Sequence, residues 1–191
     1  LEASLGELPL AIEHLHTCLA GYAAILPAGH PSLLTLQNNL GTLLVRAQRF
    51  EEGEPLLVAA LDGRRALLGP ENQATLTTAN NLGGAWLDLG RVDEAEELLR
   101  ATREALLRVL PQGHWMPCAT GVRLAECWDR QGRVEEAHAL AEDSLEVLEA
   151  ALGKKAEKTL TAARLLARLA EQRGETERAA ELRAKFGVGA E

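Results

Sequence analysis

Several kinds of side chain in this sequence are of types that can do chemistry. The first are nucleophiles and metal ligands. Cys18, Cys118 and Cys127 are odd in number and show no C-x-x-C spacing, so they suggest neither a disulfide framework nor a zinc site, and a reduced, cytosolic compartment is expected. His114 and Cys118 are four residues apart and could touch on a helix, but two ligands do not make a metal site. His14 and His16, two apart, would not face each other. Ser4, Ser32 and Ser144 lack the context of a nucleophile elbow. Paired carboxylates such as Glu51-Glu52 and Glu135-Glu136 stand where helices begin, and complementing a helix dipole explains them better than acid–base catalysis. No catalytic residue, metal or cofactor is expected. That leaves amides. Asn38-Asn39 and Asn80-Asn81 each offer donors and acceptors that can pair with a peptide backbone whatever its sequence.

The two amide doublets recur within a repeat. Asn38-Asn39-Leu40-Gly41 returns as Asn80-Asn81-Leu82-Gly83, an offset of 42. The same offset links Leu34-Thr35 to Leu76-Thr77, Arg49 to Arg91, Glu52 to Glu94 and Leu56-Leu57 to Leu98-Leu99. A third copy carries Arg123-Leu124-Ala125, Gly132-Arg133 and Glu135-Glu136-Ala137. A fourth carries Leu165-Leu166-Ala167, Gly174, Glu177, Ala179 and Leu182. Stepping backwards, Gly6, Leu8 and Ala11 align with Gln48, Phe50 and Gly53, so the opening residues read as the second half of a truncated repeat. The expected organisation is one array: residues 1–28 as that half repeat, full repeats over 29–70, 71–112 and 113–154, and a fourth with a charged cap over 155–191.

Each repeat reads as two helices. Leu33, Leu36, Leu40, Leu43 and Leu44 keep helical spacing up to Arg46 or Ala47. A short turn follows, with Gly90 and Gly132 suited to a left-handed helix stop. The second helix opens on acidic residues, and Pro31, Pro70, Pro111 and Pro117 mark the joins. Gly187 after Phe186 is an expected helix stop. A single pair cannot cover its own apolar stripe, so pairs must stack on neighbours. The expected fold class is all-α, a right-handed solenoid of antiparallel helix pairs.

Composition narrows the partners. With 47% hydrophobic and 25% charged residues the chain can fold on a core. A formal net charge of −8 opposes binding to a polyanion, and three Trp, two Phe and one Tyr are too scattered to stack bases. Neither nucleic acid nor membrane is expected as a partner, and no apolar run is long enough to cross a bilayer.

Leu82-Gly83, Gly90, Val92 and Ala95 resemble the tetratricopeptide repeat, whose usual length is about 34 residues. The 42-residue spacing, with Gly29-His30-Pro31, Leu34-Thr35 and Asn38-Asn39-Leu40-Gly41, is similar to the longer kinesin-light-chain type. Leu110-Pro111-Gln112-Gly113-His114-Trp115 resembles a segment near the ends of bacterial serine/threonine kinases that carry such repeats. The chain itself has no Gly-rich phosphate loop, His-Arg-Asp or Asp-Phe-Gly.

The resemblance implies that the first helix of each pair lines a concave groove and the second forms the back. On that division the second helices are strongly acidic, whereas the first helices are near neutral and become basic toward the C-terminus. The family's ligand-facing positions map onto Asn38, Asn39, Thr42 and Arg46, then Asn80, Asn81 and Asp88. Arg123, Glu126 and Arg130 follow in the third copy, and Arg164 and Arg168 in the fourth. Asparagines there would clamp a peptide backbone, and arginine forks could select a carboxylate or phosphate. The competing expectation is that Asn39 and Asn81 bond to a neighbouring helix and the arginines pair with adjacent acids. Asn38 and Asn80 stand where a chaperone-tail clamp needs Lys, which disfavours heat-shock-protein tails. The expected role is a protein-interaction scaffold for a peptide or partner domain. Alternatives are a regulatory region of a larger signalling enzyme and self-association through Leu5, Leu8, Ile12 and Leu15.

Overall fold

The computed structural model describes residues 2–189, with side chains from residue 7 onward. Within that range the chain is all-α. The described residues form two compact units, divided between Gly90 and Arg91. The first holds α1 (Glu2–Ala23), α2 (Pro31–Arg46), α3 (Phe50–Leu68) and α4 (Gln73–Asp88). The second holds α5 (Val92–Val109), α6 (Trp115–Arg130), α7 (Val134–Leu152), α8 (Glu157–Gln172) and α9 (Thr176–Phe186). Inside each unit, helices consecutive in sequence pack on one another. In the helix-pair register α2, α4, α6 and α8 are first helices, and the others are second helices.

Caps explain where the helices start. The His30 Nδ1, Asn72 Oδ1 and His114 Nδ1 atoms accept from the backbone N–H two residues on, at 3.2, 2.9 and 3.1 Å. Each satisfies a donor that the first turn of α2, α4 or α6 leaves open. His114 is therefore engaged in capping. The second helices begin differently. Arg49, Arg91 and Arg133 precede α3, α5 and α7, and each forks onto the Glu three residues later. These arginines hold the Glu52, Glu94 and Glu136 carboxyls below their ordinary range. So exposed a pair adds little stability. In the fourth copy the signs are exchanged, with Glu175 and Arg178 at those positions.

The turn inside each pair closes the first helix with two reversed backbone bonds. After α2 the Gln48 N–H bonds Val45 O and the Arg49 N–H bonds Leu44 O, and the same pattern follows α6 and α8. The residue between must be left-handed. Gly90, Gly132 and Gly174 supply this at φ of 77, 76 and 80°, but the first copy has Gln48 at φ 59°. A side chain there is strained by about 1 kcal/mol. Gln48→Gly is accordingly expected to raise the unfolding free energy by up to about 1 kcal/mol, read from the urea midpoint. A midpoint that falls would reject the strain argument.

The core runs between the pairs. Leu40 and Leu44 of α2 are buried against Ile12 of α1, with Leu8, Leu15 and Leu19 partly buried on the same cluster. Ile12 is thus covered within the unit, and the side chain of Leu5 lies outside the described residues. Helices α2 and α3 approach so closely that a Cβ on Gly41 would stand 2.9 Å from Gly53 O. In the second unit the same register positions are Ala125 and Ala137, both fully buried. Among the described residues no helix is long and apolar enough to cross a membrane.

Candidate functional site

In the first unit, the amides of α2 and α4 form one network. Asn38 is 7% exposed and uses both ends of its side chain. Its Nδ2 donates to Asn39 Oδ1 at 3.1 Å, and its Oδ1 accepts from Asn81 Nδ2 at 3.1 Å across to α4. Asn39 is exposed and Asn81 half-buried. Each amide is fixed by one atom, which leaves Asn39 Nδ2 as a donor and Asn81 Oδ1 as an acceptor with no partner among the described residues. A polypeptide backbone offers the matching acceptor and donor.

The other positions expected in this region behave differently. Thr42 donates to Asn38 O at 2.7 Å, within its own helix. Asn80 Oδ1 is buried without a hydrogen-bond partner. The doublet does not recur a third time, because Val122 and Arg123 occupy the next register positions. Arg46 lies at the far end of α2, where with Leu8, Pro9 and Ile12 it lines a cavity of about 390 Å³. Asp88 ends α4 and is exposed. The bond from Asn81 to a neighbouring helix is the competing arrangement expected from sequence, and it coexists with an exposed amide edge.

In the second unit, Arg123 and Glu126 of α6 face Glu157, Lys158 and Thr161 of α8 around a cavity of about 180 Å³. The Lys158 ammonium sits 5.4 Å over the Trp115 ring. Arg164 is exposed on α8, and Arg130 is exposed in the last turn of α6. Arg168 is paired with Asp129 at 3.0 Å.

The most connected polar group in this unit was not singled out by sequence reasoning. Glu96 of α5, 8% exposed, accepts from Trp128 Nε1 at 2.9 Å, Gln131 Nε2 at 2.8 Å and Arg133 Nη1 at 3.0 Å, and from Arg100. Burial pushes its pKa up, but hydrogen bonds from Gln131, Trp128, Arg133 and Arg100 outweigh that and bring it down to about 2. The Arg133 guanidinium also stacks 4.8 Å from the Trp128 ring centre. Trp128 is therefore a half-buried clasp as well as packing, whereas its neighbour Cys127 is fully buried and its thiol is pushed up to about 12 by burial. The first unit repeats the motif, with Trp86 Nε1 donating to Glu54 at 2.8 Å. The signal was present in the sequence: both the tryptophans and the glutamates are 42 apart.

Helix pairs whose two members meet through small residues, turn on a left-handed residue and repeat every 42 residues match a known profile. The tetratricopeptide-repeat profile covers residues 32–108 and 116–182. The chain belongs to the tetratricopeptide-repeat family. No curated protein matches it as a relative. Among solved tetratricopeptide-like structures, repeats from a Podosopora anserina protein taken to be a kinesin light chain share 26% identity. They cover 96% of this chain and 87% of that one, with a TM-score of 0.73. BtubC (BKLC) from P. vanneervenii is 17% identical over 97% of this chain and 71% of its own, at a TM-score of 0.69. A Rap protein complexed with Competence and Sporulation Factor has a TM-score of 0.81 at 14% identity, over 97% of this chain and 49% of that one. The last two likenesses bear on the fold alone. The spacing and the fold of this tetratricopeptide array are those of kinesin-light-chain-like proteins.

Proposed function

We propose that this chain is a protein-interaction scaffold that holds an extended peptide segment along its first helices, with Asn39 and Asn81 pairing to the peptide backbone. The carrying observation is the buried Asn38. By fixing one atom of each neighbouring amide, it presents a donor and an acceptor already oriented, which lowers the ordering cost of binding. Support from outside the chain comes from the Rap protein of like fold, which is complexed with Competence and Sporulation Factor.

The test is Asn39→Asp. Aspartate keeps an oxygen for Asn38 Nδ2 but replaces the outward donor with an acceptor, which would repel a peptide carbonyl. Retention of labelled, end-capped random hexapeptide pools on the immobilised chain is expected to fall about tenfold, roughly the worth of one hydrogen bond, with an unchanged circular dichroism spectrum. Equal retention by both proteins would reject the amide role.

A further inference from the structure

The second helices α7 and α9 flank α8 and leave a crevice of about 440 Å³ between them. Its floor is apolar, made of Leu145 from α7, Leu166 from α8, and Leu182 and Phe186 from α9, all buried. An ion pair ties the two helices at each end, Arg178 to Glu142 at 3.5 Å and Lys185 to Glu149 at 2.7 Å. Between the ties lies Glu146, one turn from both Glu142 and Glu149 and exposed. Among the described residues it has neither an ion-pair nor a hydrogen-bond partner.

The chain itself shows what such a crevice can take. In the 42-residue register, Arg103 of α5 stands where Leu145 stands on α7. Its Nε reaches over Gly121 of α6, where an added Cβ would come within 3.3 Å of it and within 2.9 Å of Ser144 Oγ on α7. The space between α5 and α7 is thus occupied by an arginine from the chain. Between α7 and α9 the chain supplies a leucine instead, and the space stays open. Its floor already receives one cation, since the Lys185 ammonium sits 4.8 Å over the Phe186 ring. The charge around it calls for another. Helix α7 carries Glu135, Glu136, Glu142, Asp143, Glu146 and Glu149 and no Lys or Arg. Of these, Glu142, Asp143, Glu146 and Glu149 line the crevice, and Arg178 and Lys185 offset only part of that charge.

We infer that the α7–α9 crevice is a docking site for an arginine side chain on a basic segment of a partner protein. The arginine stem lies on Leu145, Leu182 and Phe186, and its guanidinium bonds the Glu146 carboxylate. An aliphatic stem with a charged, forked head matches an apolar floor with a free acid at its edge. The site belongs to second helices of the second unit, so it goes beyond the amide reading, which concerns first helices of the other unit.

The experiment measures retention of end-capped hexapeptide pools with one position fixed as Arg or as Gln, on the full chain, on Glu146→Gln and on Glu51→Gln. Glu51 is an exposed acid of α3, so its substitution removes the same charge from the other unit. Arg-fixed pools are expected to be retained about fivefold more than Gln-fixed pools by the full chain and by Glu51→Gln, the worth of a well-made exposed ion pair. In Glu146→Gln the preference should fall below about twofold, with an unchanged circular dichroism spectrum. A preference that survives Glu146→Gln, or one lost equally in Glu51→Gln, would overturn the inference, because general attraction to an acidic chain gives either result. A dimer of the chain alone that dissociates on Glu146→Gln would also overturn it, by assigning the crevice to a second copy. Retention of neither pool by the full chain would overturn this inference and the amide reading together.

Discussion

Glu96→Gln is expected to lower the unfolding free energy by about 2–3 kcal/mol, the cost of breaking a buried, charge-assisted cluster while leaving its donors behind. An amide oxygen at the Oε1 position can still accept from Trp128, Arg133 and Arg100, but without the charge that strengthens those bonds, and its NH2 group at the Oε2 position then confronts the Gln131 donor. The sign of the pH dependence follows. The folded-state pKa lies below the ordinary value of 4.5, so the stabilisation is fully present above about pH 4.5 and drains away as the pH falls toward about 2. Urea midpoints taken across that window should converge for the wild type and Glu96→Gln at the acid end. Parallel profiles would show that Glu96 is not the linked group. The exposed Arg–Glu forks before α3 and α5 are the same in both proteins and cancel in the difference, which reports Glu96 together with Glu136, whose carboxyl feels the Glu96 charge.

Asn38→Leu is expected to separate binding from folding. Asn38 is nearly sealed, and a leucine of similar volume replaces a satisfied polar group with an apolar one, a change that is often close to neutral. Asn39 Oδ1 and Asn81 Nδ2 lose their anchor but are open enough to bind water instead. The urea midpoint should therefore stay within about 1 kcal/mol of the wild type. Retention of hexapeptide pools should drop about 30-fold, because two hydrogen bonds of about 1 kcal/mol each would then have to be made by freely rotating amides. A large loss of stability with retained binding is the opposite pattern. It would make Asn38 a structural polar residue and nothing more.

These two residues mark the divide between what could be read and what could not. The 42-residue offset, the leucine and alanine spacing and the turn glycines determined the helices nearly to the residue: α2 ends at Arg46, and α9 stops at Phe186 before a left-handed Gly187. Such features are local, since each helix carries its own apolar stripe and its own stop. The resemblance also singled out Asn38, Asn39 and Asn81 as candidates. Their division of labour was not legible. The sequence alone cannot say that Asn38 is the buried member of its doublet, because that depends on how far α2 rotates against α4.

Glu96 and Arg64 make the same point with larger consequences. In the sequence Glu96 is one acid among several in an acidic helix start, and Arg64 looks like half of a surface Arg-Arg doublet. Packing puts Glu96 beneath Trp128, Gln131 and Arg133, 32 to 37 residues away, and drives Arg64 between two helices. Periodicity determines which side of a helix is apolar, but only the inter-helix approach decides which polar side chains lose their water and which groups they find in its place.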